Sequence, residues 1–234
     1  VGGNAGAGHK RIKIKDKTMR YLIWLAVLAA VSAGGCGVAP LLGTPTSYEQ
    51  KTPAEFNLAK DTVGKIAVLA QGGPNIALRR ELEDAVLLKL QEKVELKKDR
   101  LVARSEIDKL RLDQEKYLAM TPAQIGAAAG AGTILVVKIV KYELYPLPLG
   151  RYYDCAMGVS VVLVDVGTGT ILWPQDGMPR SVSLASEGER GEANEVTTKL
   201  VRLMAHGVTR YLYDCPKAYF RLPGESRGNE LEDF

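Results

Sequence analysis

The sequence predicts an α/β fold: a mixed β-sheet of about five strands packed with three to four helices in an α/β sandwich, preceded by a signal peptide and a tether. Three observations carry this expectation. KIAVLA, starting at Lys65, is a short apolar, partly β-branched run that passes through QGGPN into a helical stripe. TILVVKIVKYEL, starting at Thr133, is a long β-branched run, and CAMGVSVVLVDV, starting at Cys155, follows it closely. Helix-like segments separate the first run from the second, so strands and helices alternate along one chain.

The first strand takes KIAVLA, and Asn75 opens the helix behind it. Ile76, Leu82, Ala85, Val86 and Leu90 fall on one stripe, with Arg79, Arg80, Glu83 and Lys89 on the other. Leu101 to Ala103 reads as a second short strand. Ser105 is the expected cap of a helix whose Ile107, Leu110 and Leu112 face inward. Thr121-Pro122-Ala123-Gln124 starts a short alanine-rich helix, with Thr121 as cap and Pro122 where a missing N–H costs nothing. The glycines of IGAAAGAG follow this helix and open a strand, the reverse of a dinucleotide fingerprint, so they predict close packing and a helix stop.

Tyr142 to Tyr153 reads as a connector between two antiparallel strands. Its Tyr145, Tyr152 and Tyr153 are candidate partner contacts, because tyrosine offers a large surface at low entropic cost. Gly167-Thr168-Gly169 predicts a tight hairpin turn into TILW, and SVSLA a further short strand. Glu192 to Leu212 carries the clearest helical period, through Val196, Leu200, Leu203, Met204, Val208, Tyr211 and Leu212. The expected domain map is a signal region over residues 1–35, a flexible lipidated tether over 36–62, the α/β domain over 63–215 and a disordered tail over 216–234.

The composition, 46% hydrophobic and 25% charged over 234 residues, suits one core with extra ends. The basic balance, 31 Lys+Arg against 27 Asp+Glu, is local. Residues 1–35 hold Lys10, Arg11, Lys13, Lys15, Lys17 and Arg20 against Asp16, leaving 25 bases and 26 acids beyond them. A near-neutral remainder argues against nucleic acid, which needs clustered cations to neutralise phosphates.

Chemistry-bearing patterns are sparse. There is no G-x-S-x-G elbow, and beyond the first 35 residues His206 is the lone histidine, which reads as a structural or surface residue. Glu81, Glu83, Asp84 and Glu187, Glu189, Glu192 form carboxylate clusters that read as solvated charge; a carboxylate-dependent glycan hydrolase is the alternative they leave open. No cysteine or histidine spacing suggests a metal, and no cofactor is expected. The expectation is a protein that is not an enzyme.

Met19 to Cys36, MRYLIWLAVLAAVSAGGC, resembles a bacterial lipoprotein signal. Arg20 leads into an apolar run of about 11 residues, short of the roughly 20 that a membrane-spanning helix needs, and small residues precede the cysteine. The resemblance implies cleavage between Gly35 and Cys36 and lipidation of Cys36. Residues 1–18 read either as sequence ahead of a start at Met19 or as a long positive flank. Gly37 in place of Asp, by resemblance to sorting in diderm bacteria, implies the outer membrane. In that oxidising compartment Cys155 and Cys215 either form a disulfide or stay two buried thiols.

KIAVLA with its helix, VARSEIDKLRLDQE, IGAAAGAGTILVVKIVKYE and VVLVDVGTGTILW occur in an order that resembles one group of bacterial envelope proteins: the CsgG-like curli-secretion lipoproteins, LpoB and the amino-terminal domain of TolB. The matching positions are Arg104, Ile107, Leu110 and Glu115, and then Asp165, Thr168, Gly169 and Trp173. The chain departs from the group where Gly130-Ala131-Gly132 replaces its usual GAD. The resemblance implies a lipid-anchored, periplasm-facing scaffold or regulator that binds an envelope protein, or a self-assembling ring component of secretion. The short interval from Tyr142 to Tyr153 disfavours a pore, whose barrel strands need about 9 to 11 residues each.

Overall fold

A computed structural model describes residues 50–148 and 150–225. Strand β1 (Lys51–Thr52) and helix α1 (Leu58–Asp61) lead into β2 (Ile66–Gly72) and α2 (Ile76–Glu92). Three short helices follow, α3 (Arg104–Arg111), α4 (Gln114–Ala119) and α5 (Pro122–Ala128). The hairpin of β3 (Thr133–Pro146) and β4 (Tyr152–Asp165) precedes β5 (Ile171–Trp173) and β6 (Arg180–Arg190). Helix α6 (Ala193–Thr209), β7 (Cys215–Pro216) and α7 (Lys217–Phe220) complete it.

The main sheet is mixed and five-stranded, as predicted. β2 runs parallel to β3, β3 pairs antiparallel with β4, and the far side of β4 pairs with β6 along one stretch and β5 along another. Alternate residues explain the continuous apolar runs. Ile66, Val68, Leu135, Val137, Met157 and Val159 pack on one face with Leu82, Val86 and Leu90 of α2 and Leu200, Met204 and Val208 of α6. Ala67, Leu69, Ile134 and Val136 pack on the other with Ile107 of α3 and Ile125 of α5. A strand covered on both faces has no polar alternation to display.

The expected caps are mostly in place. Asn75 accepts the Leu78 N–H at 2.8 Å, and Thr121 and Gln124 close a reciprocal capping box. Ser105 is not a cap: Ala103 holds that position without a side-chain bond, and Arg104 already lies in the helix. Gly126 explains the first glycine of IGAAAGAG, since an added Cβ would stand 2.6 Å from Val166 Cγ2. Gly130, at φ 74°, supplies the helix stop.

Several expectations need correction. Leu101 makes only an isolated parallel bridge to Ile66 instead of a strand, and Leu112 is 86% exposed instead of inward-facing. The connector shrinks because β3 continues to Pro146 and β4 begins at Tyr152, pairing Tyr145 with Asp154. Residues 50–62 are not free tether: β1 pairs with β7, the N–H groups of Glu55 and Phe56 donate to Tyr211 O, and Leu58 is fully buried. Residues 216–225 are not free tail either. Arg210, 2% exposed, lies against the rings of Tyr211 and Phe220, donates to Phe220 O and pairs with both carboxylate oxygens of Glu225. Two tail residues, Phe220 and Glu225, thus partner a cation that would otherwise be stranded inside.

The largest departure is Glu83, which the helical wheel places on the polar side and the structure buries completely. Arg111 Nη2 meets its Oε1 at 2.5 Å and Nη1 meets Oε2 at 3.0 Å, while the Ala70 N–H donates to Oε1 at 2.8 Å. Burial pushes the Glu83 carboxyl upward in pKa, opposed by the hydrogen bonds and charge of Arg111. Arg111→Met should cost about 3–5 kcal/mol in denaturant unfolding, because it leaves a carboxylate unpaired, whereas Glu83→Met with Arg111→Met should recover most of that loss. Equal losses for the single and double variants would refute the pairing.

The Arg210–Glu225 pair has a pH signature. Burial pushes the Glu225 carboxyl up, but Arg210's hydrogen bonds and charge outweigh it and hold the pKa below the ordinary 4.5. The stabilisation is therefore complete above pH 4.5 and is lost as pH falls through the lower folded value. Glu225→Gln should flatten that acid limb in a pH series of thermal unfolding.

Candidate functional site

A groove of about 1340 Å³ opens between the C-terminal end of α2 and the length of α6 from Asn194 to His206. Lys89, Glu92 and Lys93 form one wall, and Thr198, Lys199 and Arg202 the other. The segments that flank the α/β domain form its third side, where β1 and β7 bring Lys51 and Lys60 beside Tyr213 and Tyr219. The two helices are cross-bonded at one end, where Thr198 Oγ1 donates to Glu81 Oε1 at 2.5 Å. The groove has a frame of secondary structure and a wall built by the packed flanking segments.

Its charge is unevenly compensated. Lys89 pairs with Glu92 at 2.7 Å, and Lys199 pairs with Glu189. The hydrogen bond and charge of Lys89 lower the Glu92 pKa. Glu195 accepts the Glu192 N–H at 2.9 Å, and Asp214 accepts the Ala54 N–H at 3.0 Å. Among the described residues, Lys51, Lys60, Lys93 and Arg202 make no salt bridge, against Glu95 as the lining carboxylate without a bond. The surplus is positive and faces solvent, so its attraction for anions falls with salt.

His206 lines the same groove, and its Nε2 lies 2.8 Å from Tyr219 O. Burial lowers its pKa, helped by the charges of Lys89, Arg210 and Lys93. A neutral ring donating to a carbonyl ties α6 to α7; it acts as a structural histidine.

The residues singled out from the sequence lie elsewhere. Tyr145 is 59% exposed on the β3–β4 hairpin, while Tyr152 and Tyr153 are half-buried and Tyr153 packs against the core. They do not line the groove, whose tyrosines are Tyr213 and Tyr219. Gly35 and Cys36 lie outside the described residues. Cys155 and Cys215 are buried free thiols, not a disulfide: Cys155 sits on β4 near Ser186 and Glu189, whereas Cys215 sits on β7 beside Tyr213.

Five of the six clustered carboxylates are engaged in structure, and Glu187 makes no hydrogen bond or salt bridge among the described residues. Glu81 accepts from Thr198, Glu83 pairs with Arg111, Asp84 with Arg104, Glu189 with Lys199 and Glu192 with Arg151. Asp165 caps the β4–β5 turn, accepting the Thr168 N–H at 2.7 Å, and Trp173 is buried with its Nε1–H donating to Glu55. Among the described residues, no group of three or more His, Cys, Asp or Glu could hold a metal ion, and no helix is long and apolar enough to cross a membrane.

No protein-family model and no curated protein matches the sequence. Among solved structures, the lipoprotein GNA1162 of Neisseria meningitidis is similar over 61% of this chain and 99% of its own, at 14% identity and a TM-score of 0.41. PelC of Paraburkholderia phytofirmans, a dodecamer, is similar over 70% and 96%, at 17% identity and a TM-score of 0.39. The C-terminal domain of LpoB from Salmonella enterica is similar over 54% and 84%, at 16% identity and a TM-score of 0.31. Scores this low leave the role of the chain to its own residues.

Most of the missed residues share one cause. Lys51 and Lys60 sit in the expected tether and Tyr219 in the expected tail, and the β1–β7 pairing with the contacts of Tyr211, His206 and Arg210 brings those segments to α6, which Tyr213 closely follows. The thiol assignment is directly testable. Native protein should react slowly with an alkylating reagent, since burial pushes the Cys155 thiol up, and unreduced denatured protein should take a label at both Cys155 and Cys215. Denatured protein that labels at these positions only after reduction would establish the disulfide instead.

Proposed function

We propose that this chain is a lipid-anchored, periplasm-facing scaffold or regulator of the bacterial cell envelope that binds a protein partner and performs no catalysis. The groove between α2 and α6 carries the binding half of this reading. It is wide and open, and among the described residues its unpaired cations are Lys51, Lys60, Lys93 and Arg202 against the single unpaired carboxylate Glu95. An acidic segment of a partner protein complements that rim. Tyr213 and Tyr219 add rigid, amphipathic contact area of the kind that anchors interfaces.

The anchoring half rests on Met19 to Cys36, with Cys36 as the lipidated residue and Gly37 favouring the outer membrane. Glu83, Asp84, Glu189 and Glu192 are held in ion pairs, which supports a binding role over a hydrolytic one, since a general acid or base must be free to exchange its proton with substrate.

In cells, Cys36→Ser should abolish lipid labelling and release the protein from the membrane fraction. Cross-linking and co-purification of the anchored protein should recover an envelope protein. Lys93→Glu with Arg202→Glu should reduce that recovery about tenfold, as like charges oppose the acidic partner. Full membrane attachment of Cys36→Ser would refute the anchor, and undiminished recovery with the reversed rim would refute the groove.

A further inference from the structure

A second cavity, of about 520 Å³, lies at the C-terminal end of β2, between the start of α2 and the α3–α4 pair. It is separate from the groove and shares no residue with it. Four arginines gather around it: Arg79, Arg80 and Arg111 line it, and Arg104 stands behind Asp108. Three carboxylates oppose them, and each is already engaged. Glu83 is taken by Arg111 and the Ala70 N–H, Asp84 by Arg104, and Asp108 by Arg80, Arg104 and Arg111.

Arg79 and Arg80 are left with donors to spare. Arg80 donates Nε to Asp108 at 3.1 Å, and its terminal nitrogens make no hydrogen bond among the described residues. Arg79 reaches Gly72 O with Nη1 at 3.5 Å, the edge of hydrogen-bonding distance, and its Nε is buried with no partner. Arg79 Nε, like Arg180 Nε and Arg210 Nε, is closed off from solvent, so the donors left to a ligand in the cleft are the terminal nitrogens of Arg79 and Arg80.

The walls beside these donors are apolar and open. Leu112 and Leu118 are 86% and 72% exposed, and Ile76 and Tyr117 complete the apolar side. Large apolar side chains placed next to unfilled guanidinium donors fit a ligand with both characters. The size is that of a small-molecule site.

We propose that this cleft binds a small amphiphilic anion, with an oxyanion head held by Arg79 and Arg80 and an apolar part resting on Leu112, Leu118 and Ile76. Guanidinium forks match a phosphate or a carboxylate through paired hydrogen bonds, so the shared chemistry is an oxyanion bearing an alkyl group. Arg111 holds Glu83 and Asp108 and keeps the floor in place; it is a positioning residue. The proposal does not rest on the groove or on its partner.

The test is calorimetric titration of the full chain carrying Cys36→Ser with hexyl phosphate and with heptanoate, using hexanol as the neutral control. At least one anion should bind, more weakly at high salt, and hexanol should not. Arg79→Gln with Arg80→Gln should weaken the anion at least about tenfold, and Leu112→Ser should weaken it while leaving the salt dependence intact. Thermal unfolding of each variant separates loss of the site from loss of the fold, and Arg79→Lys, which keeps the charge without the fork, should bind with intermediate affinity. Sedimentation with phosphatidylglycerol vesicles that is lost in the double variant would assign the head to a lipid; binding of soluble anion alone would assign a free ligand. Failure of both anions and vesicles to bind, or binding unchanged in the folded double variant, would overturn the proposal.

Discussion

A carboxylate with no exposed surface is the constraint around which this fold closes. Glu83 could not be buried alone, because an unpaired ion inside a protein costs several kcal/mol even after relaxation. Its three hydrogen bonds come from two separate places: the Ala70 N–H from β2 and both terminal nitrogens of Arg111 from α3. Satisfying that one charge therefore fixes α2 and α3 against the end of β2. It also occupies an N–H on the outer edge of the parallel strand, where an open donor would invite pairing with another chain. Asp108 extends the arrangement by binding Arg80 and Arg111 together, so the arginine cleft stands on the same support.

A second buried charge does comparable work at the other end. Arg210 gathers Tyr211, Phe220 and Glu225, and with the β1–β7 pairing it folds residues 50–62 and 216–225 onto α6. Those segments supply one side of the groove. Electrostatic satisfaction of one interior cation and the formation of the outer surface are consequences of the same packing. Lys51, Lys60, Lys93 and Arg202 form no salt bridge among the described residues, and the nearby Glu195 and Asp214 turn to backbone N–H groups instead.

The sheet was legible because its residues announce it twice, through β-branched runs and through turn chemistry. Gly167-Thr168-Gly169 and Thr121-Pro122 act within a few residues of themselves, and the structure keeps both as read. What the sequence hid is non-local. Glu83 looks like one more acid on a polar helix face until Arg111, 28 residues later, is brought to it. Residues 50–62 and 216–225 look like linkers because their prolines and short runs carry no period, and their order comes from pairing with each other. Tyr145, Tyr152 and Tyr153 were conspicuous by composition, yet the groove drew its tyrosines from the far end of the chain.

The central claim is that the surface between α2 and α6, and not the tyrosine-rich hairpin, meets the partner protein. Site-specific photo-cross-linking in intact cells tests it directly, with a photoreactive residue placed in turn at Lys93, Arg202 and Tyr145. The account predicts a discrete cross-linked species from Lys93 and Arg202 and none from Tyr145. The same species from Tyr145 alone, with the two groove positions silent, would contradict it.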